Sequence, residues 1–453
     1  MLRNRRVVAA LAGALALAAA GLPARAAGPE QDLKGTVDEQ KKRIDELEKR
    51  LKEMEGGGAS DRELDRALER YLDKRRAAAQ STGGKDATPD DAYLLGSVER
   101  PSNPRFRFGG YATVLYRSPD DPDNVPTFEG LRVVPQFVFD VSPGIEFATE
   151  IEFERGGIAE EFLEDSEVLV EYAEARFKVS ESFVPKAGIL LIPFLRYNLY
   201  HDDPMWNLQD RPFTARRIFK VAFQQPGVGA EGVFRTAQGH SFNYNVALSN
   251  GIDDEVTNEG FEDARQPFGE DNNRDKTIWA RLGATPRLPF VDAADFGVSF
   301  ARGALDPSED VKMFGWGVDG KVTRDRFDLI FEWVAFDYDR PATQPAATFP
   351  HQTSGAFVQL DTHLLRGLPK SANGIVGPES ELILAARYEW CDTNERVTGA
   401  AIEDDCRAIV VGLAFRFTPK TVFRVERRSE TTSFDGPGPE DLGQWVISLS
   451  TYF

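Results

Sequence analysis

The sequence predicts an all-β protein: a 16-stranded antiparallel transmembrane β-barrel preceded by a short periplasmic α-helical coiled coil. Three observations lead to this fold class. From residue 105 to residue 453, apolar and polar side chains alternate with the period of two that is typical of β-strands. The alternating segments are sixteen in number, and each is about ten residues long, as membrane-spanning strands are. The connections alternate between tight turns and longer, acidic loops.

A closed barrel accounts for all three observations. Backbone groups inside lipid find hydrogen-bond partners only in helices or closed sheets. Bacterial outer-membrane barrels have an even number of strands, with short turns at one end and long loops at the other. A soluble sandwich or propeller is the alternative, but it requires neither an even count nor alternating loop lengths. The predicted strands cover residues 105–116, 128–141, 145–155, 168–179, 183–193, 228–236, 240–249, 277–287, 294–303, 313–323, 326–338, 354–366, 381–391, 406–418, 421–431 and 443–453.

The alternation also assigns a face to each side chain. In the segment IEFATEIEFE (residues 145–154) the odd-numbered positions are apolar except Thr149, whereas the even-numbered positions include Glu150 and Glu152. The odd positions are expected to face lipid and the even positions to face a polar lumen. Outward aromatic residues gather toward both ends of the strands, which is typical of the two interfacial girdles of a membrane barrel.

The amino terminus has the pattern of a secretory signal peptide over residues 1–26. Arg3, Arg5 and Arg6 precede an apolar run, and Ala24-Arg25-Ala26 supplies the small residues of a cleavage site. A membrane-spanning anchor would need about 20 apolar residues, more than this run contains. The mature chain is therefore expected to leave the cytoplasm and to reach the outer membrane.

The net charge argues against one class of partner. The chain carries a formal charge of -19, and removal of residues 1–26 with their four Arg and no acid would bring it to -23. A strongly acidic protein is repelled by the phosphate backbone. No nucleic-acid partner is expected.

Residues 30–76 are predicted to form the coiled-coil segment. Ile44, Leu47 and Leu51 follow the spacing of three and four that is typical of a coiled-coil seam, and a glycine triplet at residues 56–58 interrupts the pattern. A single solvated helix is the alternative, because the seam is shorter than four heptads. Residues 77–104, rich in Gly, Asp and Pro, are predicted to be a flexible linker from a periplasmic segment to the barrel at 105–453.

The chain contains two cysteines, Cys391 and Cys406, which enclose fourteen residues. In an oxidising compartment such a pair can form a disulfide across the mouth of one loop. A pair of thiols is the alternative.

The connection from Phe194 to Gly227 is unusual among the long loops because it is dense in aromatic and charged residues. Such a loop must bury its apolar side chains. We expect it to fold into the lumen and form a constriction, with an exterior cap or a contact between protomers as the alternative. The loop after the seventh strand, by contrast, is polar and acidic, and we expect it to be solvated.

The stretch AGILLIPFLRYNLYHDDPMWNLQDRP (residues 187–212), the opening FRFGGY, the sixteen segments and the terminal Phe453 together resemble the phosphate-selective porin O and P family. The resemblance covers about residues 105–453. It implies a homotrimeric outer-membrane channel that passes small solutes, including anions such as phosphate. It also implies that the barrel assembly machinery inserts the chain through Phe453. Contact with outer-membrane lipid is expected from the apolar outward faces of the strands, and contact with lipopolysaccharide from acidic outer loops that could bind bridging divalent cations, with solvated loops as the alternative.

The resemblance further implies cations at the constriction and along the channel. Arginine is suited to this role because its planar fork holds phosphate or carboxylate with two hydrogen bonds. On the loop these residues are Arg196, Arg211, Arg216, Arg217 and Lys220, and on the wall they are Arg107, Arg176, Lys178, Arg387, Arg416, Arg424 and Arg428.

Acidic residues share the same surfaces, which leaves the selectivity open. Glu150 and Glu152 face the lumen, and Asp202, Asp203 and Asp210 lie on the loop. A general diffusion channel, non-selective or cation-preferring, is therefore the alternative. A structural tether acting through the coiled coil is the second alternative.

No enzyme, cofactor or metal site is predicted. The chain has four His, and no Ser, His and acid set falls at one level of the barrel. His201, Asp202 and Asp203 could suggest a metal site, but one His and two neighbouring acids on a loop more often pack within the loop.

Overall fold

The computed structural model describes residues 106–154, 167–257, 260–261, 264–266, 268–339, 350–395, 405–432 and 440–453. The predicted signal peptide (1–26), coiled coil (30–76) and linker (77–104) lie outside these residues and stay predictions. No helix in the described part of the chain is long and apolar enough to cross a membrane.

The described ranges form a closed antiparallel barrel of sixteen strands, in which each strand pairs with its sequence neighbours and β1 pairs with β16. Each of the sixteen predicted segments coincides with one strand, so the predicted barrel is confirmed. The largest shifts are at β6, which begins at Gln224 rather than at residue 228, and at β13, which ends at Glu395 rather than at residue 391. The strands are β1 Phe106–Pro119, β2 Thr127–Ser142, β3 Ile145–Glu154, β4 Glu167–Phe177, β5 Val184–Leu191, β6 Gln224–Arg235, β7 Ser241–Ser249, β8 Thr277–Thr285, β9 Ala293–Ala304, β10 Lys312–Arg324, β11 Phe327–Tyr338, β12 Gln352–Arg366, β13 Glu381–Glu395, β14 Asp405–Thr418, β15 Thr421–Thr432 and β16 Glu440–Tyr452.

The predicted faces are confirmed as well. On β14 the outward residues Ile409 and Leu413 are 56% and 46% exposed, whereas the inward residues Val410 and Ala414 are fully buried. On β3 the inward residues Glu146, Glu150 and Glu152 are buried, although all three carry a carboxylate. The middle of the outer surface is thus apolar, and the buried charged side chains of the strands lie inside the barrel.

The two ends of the barrel differ. The connections after even-numbered strands are mostly tight, and we call this the short-turn end; the connections after odd-numbered strands define the long-loop end. Outward Phe residues such as Phe108, Phe327 and Phe453 ring the short-turn end, whereas Trp333 and Trp445 lie toward the long-loop end. Two aromatic girdles around an apolar belt make this a barrel of the outer-membrane type.

The seam between β1 and β16 depends on a glycine. Gly110 has a φ of 146°, a backbone conformation that side chains rarely adopt. Its carbonyl accepts a 2.9 Å hydrogen bond from the backbone N–H of Phe453, and a Cβ at this position would collide with the Val134 carbonyl and the Phe453 ring. The missing side chain therefore allows the terminal aromatic ring to lie over the closing strand pair.

Replacement of Gly110 by Val should weaken the closure of the barrel. The backbone strain alone costs about 1–3 kcal/mol, and the collision with Phe453 adds to it. We expect the temperature at which the folded band is lost on semi-native electrophoresis to fall. Gly144→Ala is the control, since a Cβ there meets nothing within 4 Å; equal stability of the two variants would contradict this role.

The two cysteines are directly opposed across the β13–β14 pair, and both are buried. Opposed residues of antiparallel strands have Cα atoms about 4.5–5.5 Å apart, which lies within the range that a disulfide spans. The disulfide stays a prediction, with a register that is compatible with it.

Candidate functional site

Residues 192–223, between β5 and β6, fold into the barrel; we call this segment the inner loop. It contains a short helix, α1 (Arg196–Leu199), a 3-10 turn (Asp203–Met205) and a π-helical turn (Thr214–Ile218). All but a few of its side chains are buried. Asn198 links the two arms of the loop, because its amide donates to the Ile192 carbonyl at 2.8 Å and accepts from the Phe223 backbone N–H at 2.8 Å.

One side of the inner loop packs into an apolar cluster within the barrel. Phe194, Phe219 and Phe223 of the loop contact Trp279 of β8 and Phe336 of β11, with ring centroids 5.0–6.2 Å apart. Aromatic rings at these separations attract each other beyond the effect of burial alone. This side of the lumen is therefore filled by a hydrophobic core.

The loop after β7, residues 250–276, packs onto the inner loop. Ile252 and Phe261 are fully buried in the apolar cluster, and the Arg265 guanidinium donates to the carbonyls of Lys220 and Ala222. The expectation that this loop is solvated is wrong for these residues. Its apolar side chains are few and widely spaced, so composition alone concealed their burial.

Wall arginines hold the other side of the inner loop through its backbone carbonyls. Arg424 of β15 donates to the carbonyls of Asp203 and Trp206 at 2.7 and 2.8 Å. Arg416 of β14 donates to the Pro204 carbonyl at 2.9 Å, and Arg387 of β13 donates to the Asp210 carbonyl at 2.6 Å. These three predicted wall residues therefore bind the protein's own loop.

Wall carboxylates satisfy the backbone N–H groups of the same loop. Glu426 accepts from the N–H groups of Gln209 and Asp210 at 2.6 and 2.9 Å. Glu389 accepts from Phe213 at 2.7 Å, and Glu332 accepts from Tyr197 at 3.0 Å. Irregular backbone inside a barrel needs such partners, because a buried peptide group without a hydrogen bond is costly.

The three predicted loop aspartates are buried and bound to the wall. Asp203 forms an ion pair with Arg132 of β2 at 3.3 Å, and Asp210 forms one with Arg117 of β1 at 2.6 Å. Asp202 accepts a 2.9 Å hydrogen bond from the Tyr452 hydroxyl. The aspartates thus help to anchor the inner loop to the strands around the seam.

His201 is anchored by a β-bulge. Glu171 is the extra residue where the β3–β4 register shifts, and a bulge redirects a side chain that would otherwise follow the alternation. Its carboxylate lies 3.2 Å from His201 Nε2, and His201 Nδ1 lies 2.8 Å from the Asn198 carbonyl. Both side chains are fully buried.

This environment shifts the titration of two loop groups. Burial lowers the pKa of His201, but the charge and hydrogen bond of Glu171 outweigh it and raise the pKa above the usual 6.5. Burial raises the pKa of Asp202 to about 6 against the opposing charge of His201. Both groups therefore hold protons more tightly in the folded loop than in an unfolded chain.

The predicted cations of the inner loop are less buried than its acids. Arg196 pairs with Asp295 at 2.7 Å, and Arg216 pairs with Glu430 at 3.3 Å. Arg211 donates from Nη1 to the Val221 carbonyl at 3.3 Å, whereas its Nη2 has no hydrogen-bond partner among the described residues. Arg217 and Lys220 are half-buried on the same segment.

The remaining predicted wall residues form ion pairs or hydrogen bonds with other charged and polar side chains of the wall. Arg107, Arg176 and Lys178 all contact Glu146, and Lys178 does so at 2.8 Å while remaining partly exposed. Glu152 pairs with Arg132. The other pairs and hydrogen bonds of this set are Arg176 with Glu231, Arg428 with Glu389 and Glu430, and Gln136 with Glu150.

No group of three or more His, Cys, Asp and Glu side chains within the described ranges is arranged to hold a metal ion. His201, Asp202 and Asp203 instead have the separate partners described above. The alternation of apolar and polar residues puts Glu332 and Glu389 on the inward face, but it does not reveal the loop N–H groups that their carboxylates bind. The bulge at Glu171 has no local sequence signal.

Comparisons with known proteins do not assign a function to this chain. No family model matches the sequence. An uncharacterized protein of Aquifex aeolicus (strain VF5) is 30% identical over 124 residues, which is 27% of this chain and 28% of that protein. The match therefore spans little more than a quarter of the relative's length.

Three solved outer-membrane structures resemble the chain at low identity. In-vitro folded OmpT of Vibrio cholerae, in a trimer form, has a TM-score of 0.46 and 11% identity and covers 77% of this chain and 99% of its own. OpdK of Pseudomonas aeruginosa has a TM-score of 0.42 and 13% identity, with 77% and 98% covered. An anion-selective porin of Comamonas acidovorans has a TM-score of 0.46 and 9% identity, with 77% and 99% covered. None of these likenesses assigns a solute to this chain.

Arg424→Met should loosen the inner loop, because it removes the donors to two loop carbonyls. Loss of one partner from a buried charged network costs about 3–5 kcal/mol. We expect a larger and noisier single-channel current and a lower unfolding temperature. Arg427→Met is the control, since Arg427 lies on the outward face of the same strand; equal currents from the two variants would contradict this anchoring role.

The attachment of the inner loop should weaken as the pH rises. The stabilisation from protonated His201 is complete below its usual pKa of 6.5 and is lost as the pH rises through its raised pKa, and the raised pKa of Asp202 acts in the same direction. Current noise should therefore increase from mildly acidic to alkaline pH. His201→Gln should abolish most of this dependence; a wild-type current that does not change with pH would refute the prediction.

Proposed function

We propose that this chain is an outer-membrane porin, a channel for passive diffusion of small solutes whose constriction is the inner loop. The observation that supports this best is the anchoring of one long segment inside a closed barrel, with contacts to wall residues from β1 to β16. A loop inside the lumen narrows a channel, and the groups that line the narrowing decide which solutes pass.

The apolar cluster favours an off-centre route for solutes. It occupies the lumen beside β8 and β11, where Trp279 and Phe336 are fully buried. Dry aromatic packing excludes water and ions. We infer that a permeating solute passes away from β8 and β11, beside the less buried cations of the inner loop.

An anion such as phosphate is the first candidate solute. The half-buried loop cations Arg211, Arg216, Arg217 and Lys220 support it. A general diffusion channel, non-selective or cation-preferring, is the second candidate. It is favoured by the commitment of Arg387, Arg416 and Arg424 to loop carbonyls, which leaves these guanidinium groups little capacity to bind a solute.

The proposed surroundings follow from the same barrel. The apolar belt supports contact with outer-membrane lipid, and the resemblance in sequence supports a homotrimer, insertion through Phe453 and a periplasmic amino-terminal segment. A tether that acts through the predicted coiled coil is the alternative from another class.

The reversal potential in a planar bilayer under a salt gradient tests this proposal. An anion-selective current that phosphate reduces is expected, and Arg211→Gln should shift the permeability ratio toward cations. One unit charge about 4 Å from the ion contributes about 1 kcal/mol even in water, roughly a fivefold change. Arg407→Gln is the control, because Arg407 lies on the outer surface.

Two results would redirect the proposal. A cation-preferring current that is insensitive to phosphate would favour the general diffusion channel. A complete absence of current from folded protein would refute the channel and favour the tether.

A further inference from the structure

Outside the barrel, near the long-loop end, one row of side chains crosses four strands. Ile278 of β8 is opposite Arg302 of β9, which is opposite Phe314 of β10, which is opposite Asp337 of β11. Ile278 and Phe314 are 57% and 47% exposed, and Arg302 is exposed as well. A guanidinium group thus stands on the outward face between two exposed apolar side chains.

The level of this row in the barrel follows from the aromatic girdle. Two residues nearer the middle of the barrel, Phe300 is opposite Trp316, and the Trp316 and Trp333 rings lie 4.2 Å apart. Tryptophan in outward positions marks the boundary between the hydrocarbon and the headgroups. Two residues of strand span about 6.8 Å, so Arg302 lies at the level of the headgroups.

A second cation accompanies Arg302. Lys312 begins β10 on the same outward face, diagonal to Arg302 in the β9–β10 register. Together with Phe314 and His351 they line a groove of 520 Å³. Diagonal neighbours in a sheet are within reach of one ligand when their side chains are long.

These two cations differ from the other outward arginines at this end. Arg427 pairs with Asp120, and Arg407 pairs with Asp405 at 2.6 Å. Within the described ranges, neither the Arg302 nor the Lys312 side chain has a carboxylate within ion-pair distance. An unpaired cation beside lipid is stable only where water or an anionic headgroup solvates it.

Two acids share the groove and must be accounted for. Asp337 lies beyond the Phe314 side chain in the row, and its Oδ1 accepts a 2.8 Å hydrogen bond from the Gln352 amide. Asp339 follows the end of β11 and is exposed. Phe314 therefore separates Arg302 from Asp337 in the row, whereas Lys312 lies beside Asp339, whose backbone N–H donates to the Lys312 carbonyl at 2.8 Å.

We propose that this groove binds the phosphate group of a phosphorylated glycolipid of the outer leaflet. Arg302 would hold two phosphate oxygens through its planar fork, and Lys312 would add a point charge. Ile278 and Phe314 would pack against the first carbons of the acyl chains. The inference rests on the proposed outer-membrane location and adds the lipid partner and its binding residues.

Native mass spectrometry of the folded protein with a bis-phosphorylated glucosamine glycolipid, lipid A, tests this proposal. The double variant Arg302→Gln/Lys312→Gln should bind it at least about tenfold more weakly, because charge-assisted hydrogen bonds are lost. Arg302→Lys should lose part of the binding. The control is Arg407→Gln, because Arg407 is an outward arginine that is paired with Asp405. This variant should bind the lipid as the wild type does.

The same measurement with dephosphorylated lipid A separates the possible outcomes. Equal binding of both lipids by the wild type, or an unchanged affinity in the double variant, would overturn the proposal. Loss of a trimer with unchanged lipid binding would also overturn it and would identify this face as a contact between copies. The double variant should conduct ions as the wild type does. Absence of current from both the wild type and the double variant would refute the channel proposal without bearing on the lipid site.

Discussion

The structure depends on one constraint, the pairing of every backbone amide that faces lipid. Sixteen strands meet it only because β16 returns to β1, and Gly110 permits that contact by leaving room for the Phe453 ring. Closure also divides the side chains between two solvents. Apolar residues cover most of the outside, and the buried charged residues of the strands share the inside.

The same constraint applies to the inner loop, which has no sheet to join. Its peptide groups are satisfied by side chains of the wall: arginines bind the carbonyls, and glutamates bind the N–H groups. A wall that carries both charges is therefore needed to hold irregular backbone inside a barrel. This use of the charges leaves fewer of them for a passing solute, and it is the physical reason for keeping a weakly selective channel as the second candidate.

The charges of the outer surface follow the opposite rule. Two of the outward arginines, Arg407 and Arg427, have an acidic partner. Within the described ranges, Arg302 and Lys312 have none. The difference between paired and unpaired outward cations carries more information than the presence of charge on the outer surface.

The sequence alone determined the sixteen strands, the faces of the regularly alternating side chains and the loop that enters the lumen, because alternation, loop length and composition are local properties. Only the tertiary structure decided which residues meet. The pairing of Arg424 with loop carbonyls, the contact of His201 with the bulged Glu171 and the burial of Phe261 all join distant parts of the chain. A local pattern gives the direction of a side chain, whereas its partner depends on how the closed sheet and its loops share the enclosed space.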